Sequence, residues 1–262
     1  MSKHRVRRLS MARKTPVTYD DVLSWWSSLS HQEQNYELSD FALEFAYQSA
    51  KIERADITFQ EASQVFEHAS VTNYTGPVRN LISIANQRVA FFWMLDALAY
   101  CRPLDESLVL SLHRTLTYGT YSPTQLADGE RPGKYKLSDY IVRETHEVGA
   151  SPEDCPLLTR ELCREVCAQL PNLTPKRALT CAAYFHNALV SIHPFSEGTG
   201  RVARDLANFI LLAGGHPPVC VYASDQAAFY EALEAFDSTG DLAPFKAFLR
   251  EETLRTWEDR VR

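Results

Sequence analysis

A mainly helical fold with one short β-hairpin is predicted from three observations. Amphipathic stretches of helical length follow one another along most of the chain, N-capping side chains stand in front of several of them, and the helical period fails over one long stretch only, after residue 121. With 262 residues, 45% of them hydrophobic, the chain can bury a substantial core. We divide it into a basic, solvated arm (1–17), an N-terminal helical region (18–76) and a main helical core (77–256).

Thr18 or Asp20 can cap a first helix through Val22, Leu23, Trp25, Trp26 and Leu29. A second helix over 39–54 places Phe41, Phe45, Gln48 and Ile52 on one side, so that face can dock. Thr58 caps a third to about residue 69, and 73–77 is turn chemistry. The segment 78–100, apolar on most faces in its second half, is expected to cross the core. Pro103 ends it, and Asp105 caps a helix striped with Leu108, Leu112 and Leu116. Across 127–149 the Gly129, Pro132 and Gly133 turns and the β-favouring Leu137, Tyr140, Ile141 and Val142 predict the hairpin, with 135–142 extended. Helices follow over 157–170 and 178–192; the latter, apolar nearly all round, is expected to be the buried central helix, with His186 a hydrogen-bonded core residue. Gly214, Gly215, Pro217 and Pro218 stop the next helix, and 225–235 and 243–256 are helical again.

A net charge of −6 argues against general nucleic-acid binding, and the cationic arm from Lys3 to Lys14 reads as a solvating tail. No apolar run is long enough to span a bilayer and no signal-peptide pattern opens the chain, so a cytoplasmic location is expected. The six cysteines show no metal-ligand spacing and are expected to be free thiols.

The chemistry concentrates in 191–204, SIHPFSEGTGRVAR. His193 precedes a proline that bars helical geometry, so its imidazole is expected on an extended turn, able to take a proton near neutral pH. Phe195 is expected to turn inward. Glu197 offers a hard oxygen suited to Mg²⁺ when phosphates and water complete the shell. Gly198, Thr199 and Gly200 open into an apolar-rich helix over 202–213, where loop amides and the positive helix end make an anion site. Arg201 and Arg204, three apart, are expected to reach one polyphosphate together. The combination reads as a nucleotide-phosphate site with a base beside it.

These residues resemble the Fic family motif H-x-F-x-[D/E]-G-N-[G/K]-R-x-x-R, with Thr199 in place of Asn. The resemblance implies an all-α Fic-type core with a hairpin flap. It further implies transfer of AMP from ATP to a Ser, Thr or Tyr hydroxyl of a protein, with His193 as general base and Glu197 holding Mg²⁺. Gly198, Thr199 and Gly200 would form the anion hole, and Arg201 and Arg204 would hold the β- and γ-phosphates. Thr199 has a shorter reach than Asn and one hydroxyl, which implies reduced or altered transfer. Ser49 and Glu53 resemble the family's inhibitory motif [S/T]-x-x-x-E-[G/N], with Arg54 in the last position; Glu53 is expected to pair with Arg204 and exclude the γ-phosphate. GKYK at 133–136 resembles the start of the family's flap, so Lys136, Leu137, Ser138 and Tyr140 are expected to dock a target segment along a strand edge. Phe229 and Tyr230 resemble the aromatic pair beside the adenine.

Two further readings stand beside transfer: removal of AMP from a modified protein, and a nucleotide-binding regulatory module whose transfer is weakened by Thr199. Self-modification, self-association and the identity of the donor nucleotide and of the target stay open at this level.

Overall fold

Three caps that the sequence marks, Thr18, Thr58 and Asp105, do cap helices in the computed structural model, which describes residues 16–138, 141–143 and 146–262. Thr18, Thr58, Asp105 and Thr174 accept from the N–H three residues on at the starts of α1 (Tyr19–Ser28), α3 (Phe59–His68), α5 (Glu106–Thr117) and α8 (Pro175–Ile192). Ser30 does the same for α2 (His31–Ile52), in a reciprocal capping box with Glu33, so this helix starts well before residue 39. Ser122 caps α6 (Pro123–Ala127), a short turn of helix hidden from periodicity by its length. The remaining helices are α4 (Val78–Ala99), α7 (Cys155–Cys167), α9 (Thr199–Ala213), α10 (Gln226–Thr239) and α11 (Ala243–Val261).

The hairpin is smaller than the sequence suggests. Strands β1 (Ile141–Arg143) and β2 (His146–Val148) pair antiparallel with Val142 opposite Glu147, whereas 135–138 is not strand.

The N-terminal helices share one hydrophobic core with the rest of the described chain. Phe41 and Phe45 of α2 meet Phe91 of α4 at 5.6 and 5.8 Å between ring centroids, and Phe41 stacks on Trp257 of α11 at 5.7 Å. Burial of Leu38, Phe41, Phe45 and Ile52 holds α2 in place by roughly 6–12 kcal/mol in total.

The central helix is α9 rather than α8. Every residue from Arg201 to Ile210 is buried, because each polar one has internal partners: Asp205 accepts from Gln87, and Asn208 bonds the Val219 amide and carbonyl. Thr180, Cys181, Tyr184 and Ala188 of α8 reach the surface in part. All six cysteines are free, with Cys155, Cys163 and Cys220 buried.

Candidate functional site

Helix α8 ends and α9 begins around the motif loop. His193 is the C-cap of α8, its N–H donating to the Leu189 carbonyl at 3.0 Å. Its backbone is left-handed (φ 46, ψ 61), not extended as expected; the proline still stops the helix, but the chain turns through the region that imidazole-bearing residues tolerate better than most. The main-chain carbonyls on either side of it are both taken by the roots of the flap. Lys136 N–H donates to Pro194 O at 3.0 Å and Ala150 N–H to Ile192 O at 2.8 Å, so the flap segment is tied down across His193.

Phe195 is fully buried and stacks on His113 at 3.7 Å between centroids. The Gly133 amide donates to His113 Nδ1 at 2.9 Å, which leaves the proton on Nε2, 2.9 Å from the Glu197 carbonyl it serves. Burial pushes His113 down to about 3, so it stays neutral and this tautomer persists. His113 thereby positions the motif loop from α5, a role the sequence did not reveal; its only signal was a histidine on a helix face otherwise built from Leu108, Val109, Leu112 and Leu116.

Gly198 (φ 87) and Gly200 are required for different reasons. A Cβ on Gly198 would lie 2.6 Å from Thr117 Cγ2, on top of an unfavourable φ. At Gly200 the space is used by a carboxylate: a Cβ would stand 2.8 Å from Glu53 Oε1 and 3.2 Å from Arg204 Nη1. Thr199, the first residue of α9, is buried, and its hydroxyl donates back to Phe195 O at 3.3 Å.

The two motif arginines diverge, which corrects the expectation that both reach one polyphosphate. Arg204, 4% exposed along its side chain, donates to Ser49 Oγ at 3.1 Å, Ser49 O at 3.2 Å and Glu53 Oε1 at 2.7 Å. Arg201 turns to α4 and α5, donating to Ser83 Oγ, to Leu116 O and to Glu197 Oε1 at 2.7 Å. Side chains three apart on a helix share a face at the Cβ, but a long guanidinium follows its nearest acceptors.

A cavity of about 190 Å³ is lined by His193, Glu197, Gly198, Thr199, Gly200 and Arg204, by the largely apolar Val190, Phe229, Tyr230 and Leu233, and by Glu53. His186 also lines it. Its expected hydrogen bonds are absent: the ring packs on Phe245 at 4.9 Å between centroids, its nitrogens make no bond, and burial, assisted by Arg204, pushes it down to about 3. Glu53 keeps 41% of its side chain open. Burial opposes its ionisation, but Arg204 and then Arg201 outweigh that and hold the carboxyl below its ordinary value, so it is charged at neutral pH. Among the described flap residues, Leu137 (63% exposed) and Ser138 are open, whereas Lys136 is buried to 1% beneath the motif loop; Tyr140 lies outside the described residues. Lys136 is therefore no part of an open edge, since its N–H already pairs with Pro194 and Leu137 N–H with Glu130 at 2.8 Å.

Residues 103–211 match the family model described as Fic/DOC. The chain carries a Fic/DOC domain. Protein adenylyltransferase Fic of Nematostella vectensis is 34% identical over 124 residues, 47% of this chain and 28% of that protein. The Drosophila ananassae protein of the same name is 39% identical over 148 residues, 56% and 27% respectively. This chain thus spans less than a third of the curated relatives it matches. The fold agrees with that of a Fic-domain signalling protein from Bacteroides thetaiotaomicron (TM-score 0.80, 24% identity, 93% of this chain and 95% of that one) and of Fic-1 from C. elegans (TM-score 0.72, 20% identity, 93% and 69%). Within this Fic/DOC domain the all-helical core with its small flap is the fold expected from sequence, and α1 to α3, outside the matched residues, pack into the same core. No helix among the described residues is long and apolar enough to cross a membrane.

Arg54 stands where the inhibitory motif has Gly or Asn, and the structure gives the reason for that preference: φ is 62, the left-handed region. A non-glycine residue costs roughly 1–2 kcal/mol there. Arg54→Gly is expected to stabilise the protein by about 1 kcal/mol, read as a rise in Tm of a few degrees in thermal unfolding, whereas Arg54→Ala should gain nothing.

Proposed function

We propose that the protein transfers AMP from ATP to a hydroxyl of a protein, itself included among the candidate acceptors, and that Glu53 holds the resting enzyme shut. The observation that carries this reading is that one cavity is lined by His193, the amide end of α9 and Arg204 together with apolar and aromatic side chains, Val190, Phe229, Tyr230 and Leu233, against which a base could pack. In the reaction, His193 takes the acceptor's proton, the freed oxygen attacks the α-phosphorus in line, and the bond to the bridging oxygen breaks as pyrophosphate leaves. The amides of Gly198 to Gly200 and Arg204 meet the phosphate charge without reorganising. Glu197 is a one-carboxylate donor at the cavity edge, which fits Mg²⁺ held chiefly by phosphates and water; the ion would neutralise charge on the leaving pyrophosphate. Arg201, bonded to Glu197, fixes that carboxylate. A cytoplasmic setting fits the free cysteines.

Glu53 occupies the guanidinium fork that a γ-phosphate would use, and its carboxylate sits against Gly200 where an anion would approach the loop. Detaching α2 would forfeit roughly 6–12 kcal/mol of burial, far more than one partly exposed ion pair of about 1 kcal/mol. Opening is therefore a movement of the Glu53 side chain or of the last turn of α2. Arg204 keeps its Ser49 bonds when Glu53 is gone, so Glu53→Gly folds. With α-labelled ATP and Mg²⁺ this variant is expected to autolabel at least about tenfold more than wild type. Equal labelling of both would remove Glu53 from its assigned role.

One observation favours a second reading. The charged Glu53 shares a cavity with His193 and could orient a water, so release of AMP from an AMP-bearing protein by wild type, but not by Glu53→Gly, would assign hydrolysis instead. Thr199, whose hydroxyl is spent on Phe195, supports a binding module with weak transfer; Thr199→Asn in the Glu53→Gly protein would then raise labelling without changing ATP affinity.

A further inference from the structure

Behind Glu53 lies a second cavity, also of about 190 Å³, which shares Glu53 and Glu197 with the first. Its walls carry Arg54, Arg79 and Arg201 together with Asn80 and Ser83. We propose that this cavity binds a phosphate-class oligoanion, separately from the nucleotide.

Charge is the first support. Glu53 is committed to Arg204 and Glu197 to Arg201, whereas Arg54 and Arg79 have no ion pair among the described residues. Two unneutralised cations on one small concave surface repel each other and raise the local potential, a situation that a dianion relieves. Burial is the second. Arg201, which lines the cavity, is 4% exposed, and its buried Nε has no hydrogen-bond partner, so the cation behind this wall is incompletely satisfied by the protein. The third is the start of α4. Pro77 offers this helix no side-chain cap and its first turn has no acidic residue, so the positive helix end is uncompensated where Arg79, Asn80 and Ser83 face the cavity. The facing end of α2 does not cancel this, since its carbonyls at Ala50, Lys51 and Ile52 are taken by Ala55, Arg54 and Gln226.

Arg54 supplies a fourth argument. It keeps a left-handed backbone that glycine would adopt at no cost, and its side chain lines this cavity. A strained backbone at a ligand clamp is accounted for if the guanidinium is needed there.

The shared chemistry is a chain of phosphates, which could come as a free ion or as the tail of a nucleotide. With Glu53 closed the free ion is favoured, because Glu53 and Glu197 line both cavities and stand where a nucleotide's phosphates would have to pass from one to the other.

The test is isothermal titration of the full chain with sodium pyrophosphate, without nucleotide or added metal. Wild type is expected to bind, with Kd raised about tenfold or more by Arg54→Gly and by Arg79→Gln, and unchanged within about twofold by Arg164→Gln, which removes one distant surface charge. Because Arg54→Gly relieves strain, its loss of binding cannot be ascribed to unfolding; a Tm measured on the same samples checks this. A matching titration with ATP separates the two sources: if ATP alone binds, or if pyrophosphate binding ignores both substitutions, the anion belongs to the first cavity and the proposal is overturned. No wild-type binding up to about 10 mM pyrophosphate overturns it as well. Neither outcome depends on AMP transfer, so the site and the proposed function stand or fall separately.

Discussion

His193→Ala in the Glu53→Gly protein is expected to lower the rate of AMP transfer by about 10²–10⁴-fold while leaving ATP affinity within about threefold. The reasoning rests on placement. His193 caps α8 at the cavity edge, held by its own N–H to Leu189 and by the two flap bonds at Pro194 and Ile192. These contacts are made by the main chain and are retained in the alanine variant. The groups proposed to bind phosphate, Arg204 and the amides from Gly198 to Gly200, belong to the start of α9 and keep their geometry. A base that acts only as the acceptor loses its proton contributes to the barrier and not to binding, which is why kcat should fall alone. Single-turnover labelling beside equilibrium ATP binding separates the two. A parallel loss of affinity would mean that His193 holds the nucleotide and some other group takes the proton.

The contrast with His113 sharpens this. His113 is buried, neutral and fully committed, with one nitrogen serving Gly133 and the other Glu197. Of the three histidines near the motif loop, His113 positions it, His186 packs on Phe245, and His193 lines the cavity as the C-cap of α8, where the motif loop begins.

How much of this was legible in the sequence follows from how far apart the partners lie. Helix starts were legible, since a cap such as Thr58 and its target Glu61 are three residues apart. The turn at His193 and the glycine-led start of α9 were legible for the same reason, since turn, loop and helix are contiguous from 193 to 204. The pairing of Glu53 with Arg204 spans 151 residues and was reached only by resemblance to a motif. Contacts without any motif were not reached at all. His113 meets Glu197 across 84 residues and Arg201 meets Ser83 across 118, and nothing in periodicity signals which buried polar groups find each other. The same applies to Lys136, whose β-favouring neighbours suggested an open strand, whereas a tertiary bond to Pro194 draws it under the loop. Helix α9 was underrated because its charges look solvent-facing until their partners are known.

The most deeply placed of those charges yields the second large effect. Asp205→Asn is expected to stabilise the protein at pH 8 and to leave its stability nearly unchanged at pH 4. Asp205 is fully buried on α9, and desolvation raises its pKa to about 7 against the opposing Gln87 hydrogen bonds and the charges of Arg204 and Arg201. An acid whose folded pKa lies above its ordinary 3.8 keeps its proton in the native state while the unfolded chain has released it. Native protein then holds the extra proton between about pH 4 and 7, and stability falls as pH rises through that window. Above it the full penalty is present, on the order of 4 kcal/mol. Asparagine cannot ionise and avoids the penalty. It also suits the partner: Gln87 Nε2 now bridges both Asp205 oxygens at 2.9 and 2.7 Å while Gln87 Oε1 has no partner, and an amide at 205 can donate to that oxygen and accept from the nitrogen. Urea unfolding of both proteins at several pH values isolates the effect, because Glu252 and the other titrating groups are common to both and cancel in the difference. A difference that is independent of pH would show Asp205 to be ionised in the fold, stabilised by the two arginines beside it. In that case α9 would carry a buried Asp205–Arg204 couple, and Asp205→Asn would instead strengthen the positive potential that Arg204 presents to a triphosphate.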